Sequence, residues 1–74
     1  MVNPREKCWI EPSAHAKSRL IDRGLGQHDL ERMVRDGAWV VEGGADYSIV
    51  YRRWHLKVRF RWCLIWVVTV FGER

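Results

Sequence analysis

Long apolar runs are missing from this 74-residue chain: the longest, Trp62 to Phe71, is ten residues, about half of the roughly 18 to 20 that a membrane-spanning helix needs. The opening MVNPREKCW has no apolar stretch of signal-peptide type, so the expected compartment is the cytoplasm, with no membrane partner. Cysteine is scarce as well. Cys8 and Cys63 form no CxxC and no Cys/His cluster with metal-ligand spacing. In a reducing compartment the two should be free thiols rather than a disulfide. Glycine, proline and asparagine are missing where turns are needed late in the chain, around Trp54-His55 and Trp62-Cys63, which leaves those strand boundaries loosely fixed. A chain this short makes one domain and hides only about 60% of the surface its unfolded form exposes.

What the chain has is a change of charge and pattern near residue 46. Up to Asp46, seven Lys/Arg face eight acids, a balance of −1; from Tyr47 on, six Lys/Arg face only Glu73, a balance of +5. Most of the second-half cations alternate with apolar residues. A strand of that pattern presents one apolar and one cationic side, and a polyanion is the first partner to consider. A merely basic, soluble sheet would carry the same pattern.

Residues 1–12 hold both prolines and little periodicity, and read as an N-terminal arm with a short strand around Cys8 to Ile10; residues 13–74 read as a single domain. Ser13 supplies an N-cap hydroxyl, Ala14 to Arg23 favours helix, and Gly24 supplies a left-handed stop. A second helix starts at Gly26, with Asp29 at the third helical position, Leu30, Met33 and Val34 as its apolar stripe, and Gly37 as its end. The period then changes to two: Ala38 to Glu42, Tyr47 to Arg53, Leu56 to Arg61, and Leu64 to Phe71. The order α-α-β-β-β-β predicts an α+β fold in which two N-terminal helices pack on one face of a three- to four-stranded antiparallel sheet.

Three groups of residues could carry function. His15, Arg19 and Arg23 fall at i, i+4 and i+8, a line of about 12 Å along one helix face that joins an imidazole to two guanidiniums. Arginine forks hold phosphate oxygens, and an imidazole beside them can move a proton near neutral pH. The same spacing also fits an ordinary solvated face, with Arg19 paired to Asp22 and Arg23 complementing the helix C-terminus. The second group is Arg52, Arg53, Lys57, Arg59 and Arg61 on the strands. Lys57, Arg59 and Arg61 share one side, where like charges repel unless an anion sits among them, although edge strands also carry such charges to block pairing. Tyr47, Ile49 and Tyr51 share a face and read as core or rim.

The third group is the last strand. Trp62, Leu64, Trp66, Val68 and Val70 should point one way, and Cys63, Ile65, Val67, Thr69 and Phe71 the other, so both faces are apolar. Two short helices cover one face only. The other needs a second copy or an obligate protein partner, or else the Cys8 to Ile10 arm folded across it.

The run Ser13-Ala14-His15-Ala16-Lys17-Ser18-Arg19-Leu20-Ile21-Asp22-Arg23-Gly24-Leu25, followed by Asp29-Leu30, Gly37 and Val67-Val68-Thr69-Val70-Phe71, resembles a family of small bacterial and phage domains of uncharacterised function, with the pattern H-x3-R-x3-RG-[ILV]. More distantly it is similar to the RelE/BrnT-like members of the barnase, EndoU, colicin and RelE ribonuclease superfamily. The resemblance spans residues 13–71 and implies a metal-independent endoribonuclease fold or a catalytically silent relative. It places His15, Arg19 and Arg23 at the family's polar helix-one positions and Thr69 at its last-strand threonine. Phe71 stands where the family commonly has tyrosine, so any role of that hydroxyl is lost.

The leading expectation is a toxin-like endoribonuclease that cuts RNA by attack of a ribose 2′-OH on the adjacent phosphate. His15 would be the general acid or base, and Arg19 and Arg23, joined by Arg59 or Arg61, would stabilise the developing charge. Such a reaction needs no metal or organic cofactor. An antitoxin or host protein would be its partner. The alternative, of a different class, is a non-catalytic phage or mobile-element inhibitor that occupies a nucleic-acid-binding groove of a host nucleoprotein complex; a structural dimerisation module is the third.

Overall fold

The computed structural model describes residues 2, 3 and 8–72, with side chains from residue 8 on. Residues 1, 4–7, 73 and 74, and with them much of the expected arm, lie outside the described residues. The elements are β1 (Val2–Asn3), β2 (Cys8–Pro12), α1 (Ala14–Asp22), α2 (Gln27–Asp36), β3 (Ala38–Gly43), β4 (Asp46–Tyr51), β5 (Trp54–Arg61) and β6 (Leu64–Gly72).

Both helices form where local chemistry directs them. Ser13 Oγ accepts from the Ala16 N–H at 3.0 Å, which satisfies one of the donors a helix start leaves open. Gly24 follows the C-cap Arg23 with φ +68. At the second start the Asp29 carboxylate accepts from the Gly26 N–H at 2.8 Å. Gly37 closes α2 for a packing reason, since a Cβ there would collide with the Met33 carbonyl and the Ile49 side chain.

The expected architecture needs correction. The helices do not lead the chain, and the sheet is not purely antiparallel. Its order is β1-β2-β6-β5-β4-β3, five longer strands extended at one edge by the two-residue β1. β2 precedes the helices and pairs parallel with β6, through Trp9↔Leu64, Ile10↔Ile65, Glu11↔Trp66 and Pro12↔Val67. The other pairings are antiparallel. The β2 segment therefore lies within the sheet beside β6 and does not fold across a face. The chain needs it there: β6 is apolar on both sides, and pairing with β2 on one edge and β5 on the other keeps its backbone groups satisfied.

One face of the sheet carries the core. Ile10, Ile49, Leu56, Ile65, Val67 and Val70 are fully buried against Leu30, Val34 and Ala16 of the helices, with Met33 and Leu20 nearly so. Toward β3, Trp39, Tyr47 and Phe60 pack edge to face, with Trp39 centred 5.5 Å from Tyr47 and 5.9 Å from Phe60. The Trp39 indole N–H donates to the Val34 carbonyl at 3.0 Å, so a polar atom within this cluster is satisfied.

Three further expectations change. The β4–β5 turn is Arg52-Arg53, and Trp54-His55 already belong to β5. The strict alternation expected of β6 is broken by a bulge: Lys57 pairs with Thr69 and Val58 with Val67, leaving Val68 as an extra residue. Ile65, Val67 and Val70 thus all face the helices, while Trp66 and Phe71 both face outward. Finally, Cys8 and Cys63 are not free thiols; they form a disulfide across 55 residues of sequence with Cα atoms 4.7 Å apart. The bond follows from β2–β6 pairing, in which the Trp9 N–H donates to the Cys63 carbonyl at 3.0 Å and so sets the two cysteines side by side.

Candidate functional site

The expected helix-one line is only partly assembled. His15 and Arg19 are exposed on α1. Arg23, the C-cap, turns its guanidinium over the Trp54 ring, 5.8 Å from the centroid. His55, on β5, stacks on Phe71 at 5.2 Å with the rings 7° from parallel. That pair is on the open face of the sheet, away from the helices, so the fold does not bring His55 to His15.

On that open face the strand cations find their anions within the chain. The Lys57 ammonium donates to Glu42 Oε1 at 2.7 Å and to Ser48 Oγ at 2.8 Å, and the Ser48 hydroxyl donates to the same Glu42 oxygen. Arg59 donates to Asp46 at 2.9 Å and 3.5 Å. The hydrogen bond from Lys57, aided by that from Ser48, holds the Glu42 carboxyl below its ordinary range; Arg59 does the same for Asp46 and is itself raised. The repulsion expected among Lys57, Arg59 and Arg61 is relieved by acids from β3 and β4. Arg61 is exposed at the end of the ladder, lining a shallow depression of about 430 Å³ with Trp62, Leu64 and Trp66.

The less neutralised cations gather at the opposite end of the strands. Arg52 lies over Tyr51 at 5.3 Å, and Arg53 over Trp54 at 4.9 Å, where Arg23 also arrives from α1. Arg32 of α2, Arg52, Tyr51 and Trp54 line one small cavity of about 130 Å³ with Asp29, whose carboxylate is already engaged at the α2 cap. Trp54 reaches this position because its partner across β6 is Gly72; a Cβ there would come 2.7 Å from the indole ring. Arg23, Arg52 and Arg53 therefore stand over two aromatic rings, and Arg32 of α2 lines the cavity beside them. Arg32 and Trp54 were missed by the sequence reading, since no spacing rule connects α2 to a turn twenty residues later.

No helix among the described residues is long and apolar enough to cross a membrane. Among the same residues no three His, Cys, Asp or Glu side chains gather as a metal-ligand set. Compared with protein-family models, curated proteins and solved structures, the chain matches none.

Proposed function

We propose that the protein is a non-catalytic RNA-binding module that grips phosphates with Arg23, Arg32, Arg52 and Arg53. The convergence of these four side chains on Tyr51 and Trp54 carries the reading. Guanidiniums that pack over aromatic rings, as those of Arg23, Arg52 and Arg53 do, lose less freedom on binding, can donate to phosphate oxygens, and offer their own planes for a base to stack on. A single-stranded segment suits such an end, because its unpaired bases are free to stack on the guanidinium planes. Blocking a host nucleoprotein complex by occupying its RNA is the biological role this reading supports.

Toxin-like RNA cleavage is the second reading. It rests on the helix-one motif, on the likeness to RelE/BrnT-like ribonucleases, and on the accessibility of His15 at the start of α1. It would need a second proton-transfer group, which His55, stacked on Phe71, does not supply. Incubating purified protein with a single-stranded RNA separates the two. Salt-sensitive binding without cleavage supports the module; fragmentation abolished by His15→Ala supports the enzyme.

The Cys8–Cys63 disulfide favours a compartment where disulfides persist over the reducing cytoplasm expected from the sequence, and its state in cells decides between them. Alkylation of freshly lysed cells should label both cysteines if the chain resides in a reducing cytosol, and neither if it resides where disulfides persist.

A further inference from the structure

The open face of the sheet is organised in rungs. Trp9, Leu64 and Arg61 stand side by side across β2, β6 and β5, and so do Glu11, Trp66 and Arg59. Along β6 the outward side chains other than Thr69 are apolar, with Leu64 39%, Trp66 41%, Val68 44% and Phe71 40% exposed, and Trp9 51% and Trp62 92% exposed beside them. At roughly 150–250 Å² for each aromatic side chain, these residues leave on the order of 550 Å² of apolar surface, the upper end of what single chains expose.

We infer that this face is the interface of a homodimer whose two-fold axis runs along β6. The charge pattern selects a second copy over another partner. A rotation about that axis keeps each rung at its own level and exchanges its ends, so β2 of one copy lies opposite β5 of the other. Glu11 then faces the partner's Arg59, Trp9 faces the partner's Arg61, and Leu64 and Trp66 meet their own counterparts. An acid meets a cation and an indole meets a guanidinium, both favourable. The face as a whole is neutral, with Glu11, Glu42 and Asp46 against Lys57, Arg59 and Arg61, so two copies do not repel. Doubling the exposed apolar surface gives about 1,100 Å², past the roughly 1,000 Å² that a specific interface requires. The two sheets would pack face to face at about 10 Å with the helices outermost.

Sedimentation and light scattering at about 100 µM should give twice the 8.8 kDa of one chain. Trp66→Glu should raise the dimer dissociation constant about 100-fold or more while the circular dichroism of the fold is kept. A wild-type monomer at that concentration would overturn the inference and assign the face to a different occupant, as would a dimer that folded Trp66→Glu leaves intact. Should Trp66→Glu fail to fold, charge exchange decides. Glu11→Arg and Arg59→Glu should each weaken self-association, and mixing the two variants should restore it as heterodimer, because both contacts between positions 11 and 59 then again oppose an acid to a cation. No restoration on mixing would overturn the proposed axis.

Discussion

The Ser13 hydroxyl donates to the Val68 carbonyl at 2.7 Å while accepting from the Ala16 N–H, so one oxygen ties the start of α1 to the bulged residue of β6. The Ser13 N–H adds a bond to the Val67 carbonyl at 2.9 Å. Ser13→Ala should cost about 2 kcal/mol, near 1 for the lost cap and near 1 for the bulge carbonyl left without its donor. Ser13→Asp keeps a cap acceptor but cannot donate to Val68, and should recover only about half of that loss. Urea unfolding of the three proteins measures both steps; full recovery by Asp would mean that the Val68 bond contributes nothing.

The bulge also explains where sequence patterning stops. Both helices were legible because their capping signals are local: the Ser13 hydroxyl meets the Ala16 N–H, the Asp29 carboxylate the Gly26 N–H, and Gly24 and Gly37 stand directly at the helix ends, even though Ser13 and Gly37 also make contacts far along the chain. The strands were legible as stretches of period two. The faces of β5 were legible too, with Leu56, Val58 and Phe60 inward and Lys57, Arg59 and Arg61 outward; those at the end of β6 were not, because the extra residue at Val68 reverses the parity of everything after it, and Phe71 joins Trp66 outside. The Arg52-Arg53 turn went unseen because Arg52 takes φ +55 without being Gly or Asn; the Trp62-Cys63 turn was placed correctly, although its residues also take positive φ, at +54 and +56. The parallel β2–β6 pairing and the disulfide depend on residues some 55 positions apart, beyond the reach of any local pattern. Of the candidate site, Arg23, Arg52 and Arg53 were visible as charge and Arg32 was not, and their convergence needed Trp54 in a strand opposite Gly72.

The Cys8–Cys63 bond closes nearly the whole domain into a loop. By the chain-entropy account, cross-linking a loop of this length stabilises the fold by about 4 kcal/mol, a large share of what a domain of this size possesses. Cys8→Ser with Cys63→Ser should therefore lower the urea midpoint steeply. Cys8 is buried and Cys63 exposed, so the loss also includes leaving a hydroxyl at the buried position. Reduction of the wild type with dithiothreitol should reproduce most of the drop; no change on reduction would show that the bond is dispensable.

Acid should loosen the open face before it reaches the core. Glu42 and Asp46 have folded pKa values below their ordinary 4.5 and 3.8, held there by Lys57 and Arg59. Groups lowered on folding contribute stability that is complete above the ordinary values and is lost as pH falls through the depressed ones. The urea midpoint should hold level from neutrality to just above pH 4.5 and decline below it. Glu42→Gln and Asp46→Asn together should reduce the decline, and because both pairs are solvent-exposed, added salt should reduce it as well.

The two groups of strand cations should behave differently toward RNA. Each phosphate neutralised on a single strand contributes a slope of about −0.7 to the log–log dependence of affinity on salt. Lys57 and Arg59 already hold Glu42 and Asp46, so engaging a phosphate would require breaking an existing pair. Replacing both by Ser should change the slope little. Arg52 and Arg53 stand over Tyr51 and Trp54 with their N–H donors available, and Arg52→Ser with Arg53→Ser should make the slope shallower by about 1.4. Tyr51→Ala tests the aromatic part separately: the affinity should fall while the salt slope falls by no more than the contact of Arg52, the one arginine this ring supports. Anisotropy titrations of a labelled single-stranded RNA over a range of salt read all three variants. If the Lys57 and Arg59 pair controls the slope and the Arg52 and Arg53 pair does not, the RNA lies on the open face of the sheet, and the arginine–aromatic end is not its site.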